Sequence, residues 1–202
     1  MMEDEARAWI RDRYDVSRET RLAAFVELLR AEAAAQNLIA PSTLEHIWAR
    51  HIVDSAQLVA HAPENGVWLD IGSGAGLPGL VVAILRDAPV ELVEPRKLRT
   101  AFLESAAGQL GLTNVTVQTA KVERTKGYAA IVSARAVSSL NDLFRIAAHR
   151  TDRSTLWLLP KGRSAQSEVE DARRSWQGSF HVEPSITAPD SLIVVAREVR
   201  SR

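Results

Sequence analysis

The sequence predicts an α/β protein: a mostly parallel sheet covered on both faces by helices, behind an N-terminal helical extension. Three observations carry this. Helical apolar periodicity fills the first 65 or so residues, short apolar strands alternate with helical segments from residue 67, and a glycine-rich loop joins the first strand to the helix after it. The 202 residues, 46% apolar and 25% charged, suit a globular chain with a sizeable core. The expected division is a helical extension over 1–65 and a sheet domain over 66–202.

Taken in order, Ser17 is placed to cap the first long helix, in which Leu22, Phe25, Val26, Leu29 and Ala33 form one apolar stripe. Asn37 and Pro41 interrupt it. Ser42-Thr43-Leu44-Glu45 then fits a capping box at a new helix start, with Ile47, Trp48, Ile52, Ser55, Leu58 and Val59 on the inner face. Residues 67–71 read as a buried strand and 72–79 as a loop. Pro78, whose φ is preset for a first helical turn, opens a helix to about Arg86. A strand over 90–94 precedes a helix from about Arg96 to Leu110, and 115–117 and 129–133 make two more strands. A helix over 139–149, a strand over 155–159 and a helix through Val169 and Trp176 continue the alternation. Segments 180–186 and 192–198, with no helix between them, read as a final antiparallel hairpin. Alternation of this kind places ligands at the carboxyl ends of the strands, beside the point where strand order reverses.

Composition narrows the function classes. The absence of cysteine removes disulfides, thiolate metal sites and cysteine nucleophiles. The five histidines show no zinc-ligand spacing, so no metal is expected. The longest central apolar run, residues 80–85, stops at Arg86-Asp87 far short of a membrane span. The acidic start, Met1-Met2-Glu3-Asp4-Glu5, has no apolar segment of a signal peptide, and a cytoplasmic monomer is expected. Net charge is zero, but residues 1–66 carry 7 basic and 11 acidic side chains, leaving 18 against 14 for 67–202. A polyanion would meet the second part, through a local patch.

The motif Asp70-Ile71-Gly72-Ser73-Gly74-Ala75-Gly76-Leu77-Pro78-Gly79 lies between a strand and a helix, where glycines let the backbone approach a ligand and the helix start presents free N–H groups. Gly74, Gly76 and Gly79 spell the dinucleotide fingerprint, whereas Gly72, Gly74 and Gly76 spell the G-x-G-x-G loop of adenosylmethionine-dependent methyltransferases. Glu94, about 20 residues on at the end of the second strand, suits ribose hydroxyls in either case. Register favours the second reading. Counted from the strand end at Gly72, the third dehydrogenase glycine would fall on Leu77, and no Tyr-x-x-x-Lys relay exists. The alternatives to a nucleic-acid methyltransferase are a small-molecule methyltransferase on the same fold and a scaffold that binds cofactor or RNA without chemistry.

Together with His51-Ile52-Val53-Asp54-Ser55, Ser133-Ala134-Arg135-Ala136 and Leu159-Pro160-Lys161-Gly162, this motif resembles the RsmG (GidB) family, bacterial methyltransferases that modify N7 of guanine 527 in 16S rRNA. The resemblance spans roughly residues 22–197. It implies a class I methyltransferase fold (Rossmann-like, seven strands, the last antiparallel), S-adenosyl-L-methionine as cofactor, and 16S rRNA or the small ribosomal subunit as partner. It also implies that Gly72 and Leu77 lie against the methionine and ribose, that Val122 and Glu123 flank the adenine, and that Arg135 closes the cofactor site and faces the substrate. Asp70 is expected to orient the methionine ammonium, and Lys161 to contact guanine or phosphate. Arg96, Lys97, Arg99, Lys121, Arg124, Lys126 and Arg163 would widen a positive rim. His51 and Asp54, one helical turn apart, read as a structural pair or a wall shared with the site. The stretch Gln36-Asn37-Leu38-Ile39 departs from the family's Asn-Leu-Thr.

Overall fold

The computed structural model describes residues 1–202 apart from 34, 37 and 136, so the expected helix break at Asn37 lies outside the described residues. The chain opens with α1 (Glu3–Arg11), which lies ahead of the first helix expected from the sequence, and α2 (Val16–Ala33). The α2 cap is Asp15 rather than Ser17: its carboxylate accepts from the Arg18 N–H at 2.9 Å, two residues earlier than expected. Residues 41–61 form an irregular helical segment. A 3₁₀ turn at Pro41–His46 runs into a π-helical stretch at Trp48–Val53, a short α turn, α3 (Asp54–Ala56), and a second 3₁₀ turn at Gln57–His61. The Ser42–Glu45 capping box does not form, because Pro41 starts a tighter helix one residue earlier. The donors that open the π-helical stretch, Trp48 N–H and Ala49 N–H, are capped instead by the Glu3 carboxylate of α1, at 3.1 and 2.9 Å.

The sheet follows: β1 (Trp68–Ile71), α4 (Gly79–Leu85), β2 (Val90–Val93), α5 (Lys97–Gln109), β3 (Val115–Gln118), β4 (Ile131–Ala134), α6 (Leu140–Ala147), β5 (Leu156–Pro160), α7 (Ala165–Ser175), β6 (Trp176–Pro184) and β7 (Leu192–Ser201). Its order is β3-β2-β1-β4-β5-β7-β6, with β7 antiparallel to both neighbours and every other pair parallel. This is the arrangement the resemblance implies. Trp176 begins a strand instead of ending a helix. It pairs with Ser201 and sets its ring 5.5 Å from Phe144, itself 4.9 Å from Trp157.

Every residue of α4 is buried, which explains why it is apolar on all sides: the sheet lies beneath it and α2 and α3 cover it. One apolar core therefore runs from Ala6, Ile10, Leu22 and Phe25 through Leu80–Leu85 to Val90 and Leu92. A second core under α6 and α7 gathers Leu143, Phe144, Trp157, Val169 and Phe180 on the opposite face. Strand order reverses between β1 and β4, where Asp70 lies opposite Ser133 and Ile71 opposite Ala134. The carboxyl ends of these strands carry the site.

Candidate active site

Two cavities meet at the switch point. The smaller, about 350 Å³, is lined by Gly72, Ser73, Gly74, Ala75 and Leu77 of the loop after β1, by Glu94 and Arg96 after β2, and by Leu38, Arg99, Arg135 and Val137. Its size falls in the range of about 300–1,000 Å³ that small-molecule sites occupy. Buried Glu94 uses both carboxylate oxygens on backbone, accepting from Gly74 N–H at 3.1 Å and Arg96 N–H at 2.9 Å. It thereby ties the glycine loop to the next strand end, and its remaining lone pairs are available for hydroxyl donors. Gly74 takes a positive φ of 52° on the cavity wall, a backbone state in which other side chains are strained.

Asp70 lies under this loop. Its side chain accepts from Ser133 Oγ at 2.7 Å and from Gly79 N–H at 3.2 Å, and burial pushes its carboxyl up to about 6. Gly79 is a packing glycine: a methyl group there would stand 2.2 Å from Leu92 Cδ2 and 2.7 Å from Asp70 Oδ2. Asp70 and Gly76 do not line the small cavity, so the structure brings Gly72, Gly74, Leu77, Glu94 and Arg135 together and sets Asp70 beneath them as the loop's anchor. Val122 is buried in the second core and Glu123 exposed, on the turn after β3 and outside the lining residues.

The larger cavity, about 910 Å³, is built from four separated segments: Thr43 to Asp54, Arg135 to Ser138, Pro160 to Glu168 and Thr187 to Ser191. It shares Arg135 and Val137 with the smaller one, so these two side chains form the partition. Arg135 Nη2 donates to His51 Nδ1 at 3.0 Å, and Nη1 lies 3.6 Å from Asp54 Oδ2. A guanidinium cannot accept, so His51 Nδ1 is unprotonated and its Nε2–H donates to Thr43 Oγ1 at 2.8 Å, which in turn donates to Ala40 O at 2.7 Å. Burial and the neighbouring Arg135 hold the His51 pKa down at about 3. That is about 5 kcal/mol against the imidazolium. The second oxygen of Asp54 accepts from Gln57 Nε2, Ser185 Oγ and Thr187 Oγ1 at 3.0, 3.2 and 3.0 Å, fastening the β6–β7 loop.

Lys161 is an internal clamp. Its ammonium lies 3.0 Å from Glu168 Oε2 and donates to the Ser138 carbonyl, and its side chain is 8% exposed. Arg163 pairs with Asp190. Arg96, Lys97, Lys121, Arg124 and Lys126 are exposed, and among the described residues none has a carboxylate within ion-pair distance. Sequence reasoning missed Thr43, Ser185, Thr187 and Glu168. The nearest signal was the polar His51-x-x-Asp54-Ser55 turn inside an apolar helical stripe. Among the described residues no cluster of three metal-ligating side chains exists, and no helix is long and apolar enough to cross a membrane.

The family model described as rRNA small subunit methyltransferase G matches residues 18–191. Among curated relatives, a ribosomal RNA small subunit methyltransferase G of Novosphingobium aromaticivorans is 48% identical, covering 96% of this chain and 88% of that protein. The protein of the same name from Zymomonas mobilis is 44% identical over 100% and 96%. Solved structures of low identity show the fold. The ribosomal protein L11 methylase of Lactobacillus delbrueckii subsp. bulgaricus superposes with a TM-score of 0.60 at 13% identity, covering 72% and 76% of the two chains. TYW2 of M. jannaschii, solved in complex with AdoMet, gives 0.57 at 14% identity over 75% and 76%.

Proposed function

Because the chain belongs to the rRNA small subunit methyltransferase G family, we propose that it transfers the methyl group of S-adenosyl-L-methionine to N7 of guanine 527 in 16S rRNA, in the cytoplasm. The observation that carries the reading is the pair of cavities sharing Arg135 and Val137: a small one walled by the glycine loop and Glu94, and a larger one beside it. In this reading Gly72, Gly74, Leu77 and Glu94 hold the cofactor, with Val122 and Glu123 toward the adenine, and the larger cavity receives the nucleotide.

When bound, the cofactor supplies an electrophilic methyl carbon on a sulfonium. Guanine N7 has an available lone pair and no proton, so attack requires no general base. The chain accordingly needs to align and to exclude, and positioning supplies the rate. Arg135 donates to the base or its phosphate from the partition, leaving N7 free for in-line attack. His51 is held neutral and hydrogen-bonded at both ring nitrogens, which gives it no proton-transfer task.

The test is methyl transfer from labelled S-adenosyl-L-methionine to small subunits and to naked 16S rRNA from a strain lacking this protein, mapped by cleavage at N7-methylguanine. A single mark at guanine 527 is expected. No incorporation by a protein that binds the cofactor would move the substrate to a small molecule or the role to a scaffold.

A further inference from the structure

The His51-Ile52-Val53-Asp54-Ser55 motif has no part in the chemistry above, yet it supplies both recorded side-chain partners of the one arginine on the partition. We propose that His51 and Asp54 are positioning residues for Arg135, fixing its guanidinium plane between the two cavities so that they set the rate of methyl transfer through Arg135. This rests on the reading in which Arg135 faces the substrate.

The geometry is specific. His51 Nδ1 accepts from Nη2 at 3.0 Å, Asp54 Oδ2 lies 3.6 Å from Nη1, and the Arg50 carbonyl is 3.4 Å from Nη1. A guanidinium has five N–H donors. Among the described residues Nε has no hydrogen-bond partner and Nη2 has one, so a donor on each remains for a base or a phosphate. The imidazole can serve only as the neutral tautomer, and its Nε2–H on Thr43 Oγ1 locks that tautomer. His51 lies in the π-helical stretch over Trp48–Val53 and Asp54 directly after it, and both side chains meet Arg135. Asp54 has a second duty: its other oxygen holds Ser185 and Thr187, so a single carboxylate joins the arginine to the β6–β7 loop that walls the larger cavity.

A double-mutant cycle on the full chain tests this, read by single-turnover methylation of unmodified small subunits at saturating cofactor, with cofactor affinity measured separately. His51→Leu keeps the volume and removes the acceptor; His51→Gln restores both an acceptor and a donor. His51→Leu is expected to slow transfer about 30-fold with cofactor Kd unchanged within threefold, and His51→Gln to recover to within about fivefold of wild type. In an Arg135→Ala background His51→Leu should cost less than twofold further, because its target is gone. An equal loss in both backgrounds would assign His51 an independent role and overturn the proposal. So would a His51→Leu rate equal to wild type, or a His51→Gln as slow as His51→Leu. Should His51→Leu melt far below wild type, Asp54→Asn carries the same cycle with the same expected non-additivity. Failure of the underlying reading is distinct: wild type would leave no mark at guanine 527, or Arg135→Ala alone would transfer at the wild-type rate.

Discussion

The two cavities that meet at Arg135 are built on opposite plans. The small one centres on one contiguous loop, within residues 72–77, pinned by Glu94 through backbone N–H groups, with Leu38, Arg96, Arg99, Arg135 and Val137 completing its wall. The large one is assembled from four segments, and side-chain bonds hold it together: Arg135 to His51, Asp54 to Thr187, and Lys161 to Glu168. Charge divides less cleanly: Arg135, Lys161 and Arg163, around the large cavity, are each matched by a carboxylate, but Arg50 on the same wall is exposed with no carboxylate partner among the described residues, and Arg96, Lys97, Lys121, Arg124 and Lys126 stand in solvent toward the β2–β3 edge. In the proposed reading a small cofactor is served by a prebuilt backbone cradle. A polynucleotide, in the same reading, is served by a chamber whose walls are held in register by internal ion pairs, with Arg50 on its wall and the unmatched cations beyond it left for phosphate.

The largest expected effect separates the two. A Cβ at Gly74 would meet Arg99 Nη1 at 3.5 Å and the Gly72 carbonyl at 3.6 Å, ordinary contacts, with the strain of a positive φ, about 1–2 kcal/mol, added. Gly74→Leu adds bulk on the wall of the proposed cofactor cavity at a backbone position whose Cβ has room. Calorimetric titration should show the Kd for S-adenosyl-L-methionine rising at least 100-fold, with the melting temperature lowered by no more than about 8 °C. Normal affinity in this variant would erase the distinction between cavities, because the loop would then not be the cradle.

The same contrast explains what was legible. The strand, the glycine loop and the acidic strand end lie within about 30 residues and repeat a pattern that backbone chemistry dictates, so spacing alone grouped Gly72, Gly74 and Glu94, which line one cavity, whereas Leu77 came from the family resemblance. The large cavity left no such trace. Arg135 and His51 are 84 positions apart and Asp54 and Thr187 are 133 apart, and single Ser, Thr and Gln residues carry no period. Lys161 looked like a free substrate contact because the sequence does not reveal that Glu168, one helix turn into α7, folds back on it. Irregular helix was invisible for a related reason: Glu3, 45 residues upstream, caps the segment that Ser42 and Glu45 seemed to open.

An intermediate effect belongs to that clamp. Lys161 is buried and Glu168 Oε2 also accepts from Leu140 N–H at 3.0 Å, so the pair ties β5 to the start of α6 beneath Ser138. Lys161→Met leaves the carboxylate uncompensated. Urea unfolding should register a loss of about 1–3 kcal/mol, with transfer slowed about tenfold and cofactor affinity unchanged. Adding Glu168→Gln should return most of the stability. Were Lys161 instead a phosphate contact, stability would hold and the salt slope of rRNA binding would shrink by about 0.7–0.9.

The smallest effect on the cavities themselves concerns Asp70, which lines neither and anchors the glycine loop from beneath. Its carboxyl is raised from the usual 3.8 to about 6 by burial, against the opposing hydrogen bonds from Ser133 and Gly79 and the nearby Arg135 charge. The folded state thus holds this proton more tightly than the unfolded chain. Between about pH 4 and pH 6 the folded state binds more protons, so this contribution to stability falls as pH rises through the window. Relative to Asp70→Asn, wild type should lose up to about 3 kcal/mol from below pH 4 to above pH 6 in urea unfolding series. A difference that is flat or rises with pH would mean the carboxylate is stabilised where it sits. The burial cost is tolerated for a reason the partition supplies: once ionised, Asp70 joins Asp54 in favouring the charged guanidinium of Arg135, so the anchor of the cofactor loop also helps keep the arginine between the cavities a cation.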